Sequence, residues 1–223
     1  MVDGYPFVSY APAHVSAEYG LARVAAFRQT LEGRRSVRTF DATRPVHREV
    51  IEHLLHIAGT APSGAHKQPW TFVAISGAEL KQKIRIACEE QERRFYDEIA
   101  PQQWLQDLAP LGTDWEKKHL TDAPWVIVIF AQDYAVAADG GKKKHYYVQE
   151  SVGIAAGFLL TAVRVAGLAS LTHTPSPMNF LRDLLGRPKN ERTYLVIPVG
   201  YPAPDCLVPD LTRKPLHDFV VWK

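Results

Sequence analysis

A cluster of arginines follows the first predicted helix and could bind an anion. Arg34, Arg35 and Arg38 share the segment 34–38 with Ser36. Each guanidinium offers a planar fork of N–H donors that fits a phosphate. The same pattern also occurs as solvated charge at a helix C-terminus, where cations complement the helix dipole. The spacing allows a phosphate site without selecting it, and Arg213 taken alone indicates surface charge.

A loop of small residues precedes the first predicted strand. It reads Ala61-Pro62-Ser63-Gly64-Ala65-His66. Small side chains let a ligand approach backbone N–H groups closely. An ordinary helix-to-strand turn has the same composition, because Pro and Gly punctuate most connections. Both interpretations stay open on the residues alone.

A carboxylate and a phenol lie four residues apart on a long predicted helix. Glu92 and Tyr96 share a helix face and could contact one ligand together with the downstream Lys117. The alternative is a solvated, salt-bridged face, since the segment 89–94 is rich in both signs of charge. The following segment, Asp97 to Asp114, is predicted to be a long irregular loop with apolar side chains, which is typical of an active-site lid.

The residue patterns of other common catalytic, nucleotide-binding and metal sites are absent from the sequence. His53 and His56 are three apart, but no further ligand completes a metal site, so we expect none. No G-x-S-x-G elbow, Walker loop or strand-linked G-x-G-x-x-G is present. Cys88 and Cys206 are too few and too far apart for a disulfide framework, which favours the reducing cytoplasm.

Composition and charge indicate an ordinary globular protein. The 223 residues are 46% hydrophobic and 22% charged, and the net charge of +2 gives no general field for nucleic acid or an anionic membrane. The N-terminus lacks the basic start and apolar run of a secretory signal. The longest weakly polar run, Ser151 to Val163, falls short of the ~20 residues that span a bilayer, so it predicts a buried helix.

Long helices alternate with a few short strands, which favours a single α+β or α/β layered domain. Apolar periodicity predicts helices over Glu18 to Arg34, Pro45 to Ala58, Ala78 to Ile99, Tyr146 to Ala166 and Leu181 to Leu185. Strands are predicted over Thr71 to Ser76, Trp125 to Ala131 and Leu195 to Val199, the first two as central strands. Both chain ends are Pro-rich yet aromatic, which is typical of arms that pack on a partner subunit.

Five motifs occur in the order that is characteristic of one family. They are RRSVRTF, APSGAHKQPWTFV, KKKHYYVQESVGIAAG, THTP and PVGYPAPDCLVPDLTRKPL. Together they resemble the FMN-dependent nitroreductase family, and more closely its iodotyrosine deiodinase branch, from about Gly33 to Leu216. The resemblance implies an α+β, three-layer fold with a central mixed sheet flanked by helices, built as an intertwined homodimer. It implies a single domain, residues 1–223, with an N-terminal arm (1–16), a lid (about 94–118) and a C-terminal dimer arm (203–223).

The resemblance also assigns residues to FMN, which would lie at the subunit interface. The residues matching its cofactor-binding positions are Arg34, Arg35, Ser36, Val37, Arg38, Ser63, Gly64, Thr172, His173, Thr174 and Arg213. The Thr174 hydroxyl would donate to flavin N5 and is the expected catalytic group. The Ala65 backbone N–H would contact the substrate phenolate, Glu92 its ammonium, and Tyr96 and Lys117 its carboxylate.

The implied activity is reductive dehalogenation of halotyrosines, by stepwise electron transfer from reduced FMN. NAD(P)H or a reductase would supply the electrons, in a cytoplasmic protein like the soluble bacterial members, without a nucleic-acid or membrane partner. Two departures from the branch are His173 between the two threonines and Phe95 before Tyr96. The alternatives are a general NAD(P)H-dependent nitroreductase or quinone reductase, and a flavoprotein that binds an aromatic amino acid without turnover.

Overall fold

A computed structural model describes residues 3–223. It contains two compact units, one ending at Arg34 and the other spanning Arg35–Lys223. The first unit carries helix α1 (Ala17–Glu32), whose first turn is capped by the Ser16 hydroxyl accepting from the Tyr19 N–H at 3.2 Å. The predicted helix is confirmed. Its apolar residues are not buried, and Leu21 and Val24 are 73% and 66% exposed.

The second unit is an α+β assembly built on a four-stranded sheet. Its strands are β1 (Trp70–Ile75), β2 (Trp125–Gln132), β3 (Tyr134–Val136), β4 (Lys142–Lys144), β5 (Ala169–Ser170) and β6 (Glu191–Gly200). Its helices are α2 (Arg48–Gly59), α3 (Ala78–Arg94), α4 (Gln102–Leu108), α5 (His119–Asp122), α6 (Val148–Val165) and α7 (Asn179–Leu184). The predicted helices and strands of this unit are all present, with shifted ends.

The main sheet has the strand order β1-β2-β6-β5, and these strands pair antiparallel. A parallel bridge joins Ser36 to Ser170, so the segment after Arg35 runs beside β5. The ladder between β2 and β6 shifts register between Ile129 and Phe130. β1 forms an edge of this sheet, so the expectation that it is a central strand is wrong for the described chain, whereas β2 is central as expected.

Strand β2 is apolar from Trp125 to Ala131, and both of its faces are buried. Alternate residues of a strand point to opposite faces. Ile127 and Ile129 enter one core with α2 and α6, while Val128 and Phe130 enter a second core with α3 and α7. Burying each such side chain stabilises the fold by ~1.5–3 kcal/mol. The sheet therefore lies between two helical layers, as the three-layer fold requires.

Helix α6 is the most apolar helix. By length and composition it is the one helix within residues 3–223 that could span a membrane, with 18 residues and a mean hydropathy of 1.3. Seven of its residues are buried, and Val152, Leu159 and Val163 pack in the core that it shares with α2. Packing within the fold accounts for one face of the helix, which agrees with the predicted buried helix, while Ile154, Phe158 and Val165 stay exposed on the remainder.

The segment predicted as an irregular lid is largely helical. Helix α3 continues into a π-helical turn (Phe95–Ile99), and Pro101 then caps α4, which a 3-10 turn (Ala109–Leu111) extends. The chain leaves the helical conformation at Gly112, where φ is +58°. Trp104, Leu105 and Leu108 have helical spacing that the sequence prediction overlooked.

Removing a side chain that joins the layers should destabilise the protein. Leu54 is 3% exposed and packs in the core between α2 and α6. We expect Leu54→Ala to lower the free energy of unfolding by about 3 kcal/mol, from lost burial and the cavity left behind. The neighbouring His53→Ala, on a side chain that is 75% exposed, should change it by less than about 0.5 kcal/mol. Equal losses for both variants in denaturant unfolding would contradict this packing.

Candidate active site

A cavity of about 410 Å³ lies between the end of α3, the helical segment 95–111 (the lid segment, named for its predicted role) and the segment that precedes α7. Its wall is apolar on the side of the lid segment, where Phe95, Trp104 and Leu108 contribute. Its polar lining consists chiefly of Arg38, Glu92, Tyr96, Lys117, His119, Thr172, His173 and Thr174. Two of the predicted groups, the Glu-Tyr-Lys set and the threonines of the THTP motif, are therefore brought together in one cavity.

Glu92 is the electrostatic centre of the cavity. Its side chain is 12% exposed, and its Oε2 lies 3.3 Å from Lys117 Nζ while its Oε1 lies 3.2 Å from His173 Nε2. Burial disfavours the charged carboxylate, but the hydrogen bond from His173 and the charge of Lys117 outweigh burial and hold its pKa below the ordinary value. Because Glu92 is buried, the alternative interpretation of a solvated, salt-bridged helix face is wrong for this residue.

Lys117 is fixed from both ends. Its backbone N–H donates to Glu89 Oε1 at 2.8 Å, and its ammonium donates to the Asp114 carbonyl. Its Nζ also lies 5.6 Å from the centre of the Tyr96 ring. The lysine side chain, 4% exposed, therefore reaches the cavity in a defined direction.

Tyr96 lies on the π-helical turn, four residues after Glu92. Its hydroxyl is 3.4 Å from the Thr113 carbonyl, a long contact, and burial raises its pKa. Phe95 meets the Tyr96 ring edge-on at 5.7 Å and the Trp104 ring at 5.1 Å. The phenol is thus a neutral donor whose ring is fixed by aromatic packing with the lid segment.

Two buried imidazoles, those of His119 and His173, belong to the polar lining of the cavity. The rings of His119 and His173 meet edge-on, with 5.2 Å between their centres. Burial lowers the pKa of His119 to about 2 and also lowers that of His173, with the nearby cations of Lys117 and Arg38 contributing. Both rings are therefore neutral at pH 7. The sequence analysis missed His119, whose only sequence signal is its position two residues after Lys117.

Arg38 gives the cavity its net positive charge. Its guanidinium makes no hydrogen bond or ion pair with any side chain in the described range 3–223. Burial lowers its pKa, yet an arginine stays charged at pH 7. With Lys117 it supplies two cations against the single carboxylate of Glu92. The cavity is suited to bind an anion.

The other predicted anion-binding residues lie along the same segment or near the chain end. Arg35 donates to the Pro209 carbonyl, and the Val37 N–H donates to the Ser170 carbonyl at 3.1 Å. Arg213 lies exposed in the irregular C-terminal segment, and Arg34 is the last residue of the first unit. Of this predicted set, the cavity lining includes Arg38.

The loop with Ser63, Gly64 and Ala65 does not line the cavity. Ala65 has φ of +48°, as unusual for a non-glycine residue as the following His66 at +54°. A Cβ on Gly64 would lie 2.7 Å from the Tyr146 carbonyl oxygen, so only glycine fits there. Such strain costs ~1–3 kcal/mol per residue and concentrates at functional sites. Ala65 is exposed.

Comparison with known proteins identifies close relatives. Residues 31–201 match the model of the nitroreductase family. An iodotyrosine deiodinase of Haliscomenobacter hydrossis is 53% identical over 208 residues, which cover 93% of each chain. Iodotyrosine deiodinase 1 of Homo sapiens is 44% identical over 215 residues, 96% of this chain and 74% of the human one.

The solved structures that this chain resembles include an iodotyrosine deiodinase and a nitroreductase. An oxidised iodotyrosine deiodinase bound to FMN and 3-iodo-L-tyrosine aligns with a TM-score of 0.74 at 28% identity, over 88% of this chain and 100% of that one. An FMN-bound nitroreductase of Bacteroides fragilis shares the fold, with a TM-score of 0.63 at 21% identity. The nitroreductase-like fold expected from the motifs is confirmed.

Removing the cation of the buried ion pair should reveal the free-energy cost of burying the Glu92 carboxylate. We expect Lys117→Met to lower the free energy of unfolding at pH 7 by about 3 kcal/mol, because it leaves a buried carboxylate without its cation. The double variant Glu92→Gln with Lys117→Met should recover most of the loss. Lys118→Met, which removes an exposed pair with Glu116, should cost less than about 1 kcal/mol.

The loss should also depend on pH. Because the folded-state pKa of Glu92 lies below its ordinary value, its ionisation stabilises the fold at neutral pH, and this contribution disappears as the pH falls through that pKa. The gap in free energy of unfolding between wild type and Lys117→Met should therefore narrow as the pH falls below the ordinary Glu pKa of about 4.3 and through the lowered folded-state pKa of Glu92. A gap that is constant from neutral to acid pH in denaturant unfolding would show that Glu92 is not the group responsible.

Proposed function

Since this chain belongs to the nitroreductase family, and within it to the iodotyrosine deiodinase branch, we propose that it is an FMN-dependent oxidoreductase that removes halogen from halotyrosines. The observation that carries the proposal is one buried carboxylate placed beside a buried ammonium and a phenol in one cavity. Glu92, Lys117 and Tyr96 supply these three groups. The reaction breaks a carbon–halogen bond and forms a carbon–hydrogen bond. It consumes two electrons and one proton and releases tyrosine and halide.

The clamp formed by Glu92, Tyr96 and Lys117 complements a zwitterionic amino acid. Glu92 accepts from the ligand ammonium, while Lys117 and the Tyr96 hydroxyl donate to the ligand carboxylate. A quinone or a nitroarene carries neither group and would gain neither of these charged hydrogen bonds. The apolar wall of Phe95, Trp104 and Leu108 suits an aromatic ring. These features favour halotyrosine over the substrates of a general nitroreductase.

The donor set fits FMN. The net positive charge from Arg38 suits a phosphate, and the Thr172 and Thr174 side chains are exposed on the cavity wall. We assign the phosphate and ribityl chain to Arg34, Arg35, Ser36, Val37, Arg38 and Arg213, and the flavin ring to Ser63, Gly64, Thr172, His173 and Thr174. The Thr174 hydroxyl is the assigned donor to flavin N5. Bound FMN supplies the two electrons of the reaction.

The chain's own residues bind, orient and dehydrate the substrate. The lid segment closes over the ring and excludes water, which strengthens every charge interaction of the clamp. An ortho halogen lowers the pKa of a phenol below the ~10 of tyrosine, so the substrate is partly phenolate near neutral pH. The Ala65 backbone N–H donates to this phenolate oxygen. The small side chain of Ala65, which has a left-handed backbone in this loop, leaves room for the ring at that position.

A homodimer would complete the site. The loop 63–65 is absent from the cavity lining of a single chain, and the exposed apolar stripe of α1 and the exposed Leu207, Phe219 and Trp222 of the C-terminal segment are large surfaces for a partner to cover. We propose that the partner's copy of this loop closes the cavity over the flavin. A cytoplasmic location and NAD(P)H or a reductase as electron donor stay predictions.

Turnover can be tested directly. FMN-loaded protein should show quenching of flavin fluorescence on titration with 3-iodotyrosine, and after dithionite reduction it should release one tyrosine per flavin. Glu92→Gln should weaken 3-iodotyrosine binding at least about tenfold, because a charged hydrogen bond is lost. Glu98→Gln, on an exposed side chain of the π-helical turn that follows α3, is the matched control and should bind like wild type.

The opposite outcomes are distinct. Quenching without tyrosine release would indicate a protein that binds an aromatic amino acid without turnover. Bound flavin with neither response, together with NAD(P)H-driven reduction of a nitroarene, would indicate a general nitroreductase.

The two-chain site predicts complementation between inactive variants. Arg38→Ala should lose FMN through the missing cation, and Gly64→Ala through the displaced loop. In a mixed dimer, one site carries both defects and the other carries neither. Differently tagged, co-expressed and doubly purified, the mixed dimer should hold about one FMN per two chains. A flavin-free mixed dimer would contradict a site shared between subunits.

A further inference from the structure

His173 holds Glu92 from the side opposite Lys117. Its Nε2 lies 3.2 Å from Glu92 Oε1, and its side chain is 9% exposed. The His173 backbone pairs with β6, since its N–H donates to the Val196 carbonyl and its carbonyl accepts from the Val196 N–H, both at 2.9 Å. The ring therefore projects from a segment whose backbone is hydrogen-bonded to strand β6 of the main sheet.

The surroundings of the ring fix its tautomer. Glu92 can only accept, so the proton of a neutral imidazole must lie on Nε2. The Nδ1 atom is buried and has no hydrogen-bond partner within residues 3–223, which agrees with a bare lone pair there. The ring of His119 packs edge-on against the ring of His173. Burial, together with the cations of Lys117 and Arg38, outweighs the effect of Glu92 and lowers the pKa of His173, which disfavours a second proton. His173 is thus a neutral donor.

A neutral donor orients a carboxylate without cancelling its charge. Lys117, in the proposed function, also donates to the ligand carboxylate, so its contact with Glu92 must be shared when the ligand binds. The His173 side chain donates to no group of the ligand, so it keeps its hydrogen bond to Glu92 Oε1 when the ligand binds. The full negative charge of Glu92 then remains available to an incoming ammonium. A second fixed cation in this place would neutralise it.

We propose that His173 is a positioning residue that orients Glu92 toward the substrate ammonium and thereby selects amino acids over halophenols that lack an ammonium. The inference rests on the proposed function, in which Glu92 binds that ammonium. It extends the clamp of Glu92, Tyr96 and Lys117 by one residue, which acts through Glu92.

Two substitutions differ only in where they place an amide. In His173→Gln the side-chain nitrogen reaches the position of Nε2 and can still donate to Glu92, whereas in His173→Asn it reaches only the position of Nδ1. The FMN-loaded proteins are titrated with 3-iodotyrosine and with its des-amino analogue, 3-(4-hydroxy-3-iodophenyl)propanoate. The measured quantity is the ratio of the two dissociation constants from flavin fluorescence, so an effect common to both ligands cancels.

We expect His173→Asn to reduce the preference for 3-iodotyrosine about tenfold, the size of a lost hydrogen bond to a charged group. His173→Gln should retain most of the wild-type preference for 3-iodotyrosine. In a Glu92→Gln background, His173→Asn should reduce the preference no further. A purely structural role would weaken both ligands together and leave the ratio unchanged.

Failure of the inference is separable from failure of the proposed function. If Glu92→Gln itself leaves the ratio unchanged, Glu92 does not bind the ammonium and the proposed function is wrong. If Glu92→Gln lowers the ratio while His173→Asn does not, or if Gln and Asn behave alike, the positioning role of His173 is overturned. Should the Asn variant not fold, His173→Leu removes the same donor with an apolar side chain and is judged by the same ratio.

Discussion

A buried carboxylate needs charged or hydrogen-bonded partners, and the arrangement around Glu92 follows from this requirement. Glu92 belongs to a polar row on α3 that also includes Lys81, Arg85 and Glu89, spaced so that all four share one helix face. Arg85 and Lys81 donate to Thr121, and Glu89 accepts from the Lys117 backbone. This row fastens the segment 117–123 along α3 and delivers the Lys117 side chain to Glu92.

The second hydrophobic core, between the sheet and α3, anchors that row. Ile84 and Cys88 lie beside the polar row on α3 and are fully buried in the second core with Phe130. Val196 packs in the same core and pairs through its backbone with His173. The two partners of Glu92 therefore come from different elements, Lys117 from the segment along α3 and His173 from the segment bridged to β6. The second core, which includes Leu120 and Val196, packs against both segments.

Periodicity and composition predicted most helices and strands of the second unit because each buries a regular apolar face. The same reasoning left Glu92 open, since an acidic residue in a mixed-charge helix is buried only through tertiary contacts with Lys117 and His173. It also overlooked His119 and the helices of the lid segment, where Trp104 and Leu108 face a cavity rather than a core. The left-handed backbone of Ala65 and His66 carries no sequence signal, because neither residue is a glycine.

The resemblance to a family supplied what local patterns could not, namely that Glu92, Tyr96 and Lys117 meet. The structure adds a physical reason for a second chain. A cavity with excess positive charge, a strained loop whose small residues lie outside that cavity, and apolar side chains exposed on α1 and on the C-terminal segment are each costly for an isolated chain. The proposed homodimer accounts for all three at once, because a partner would cover the apolar surfaces and bring its own loop to an anionic cofactor held by Arg38.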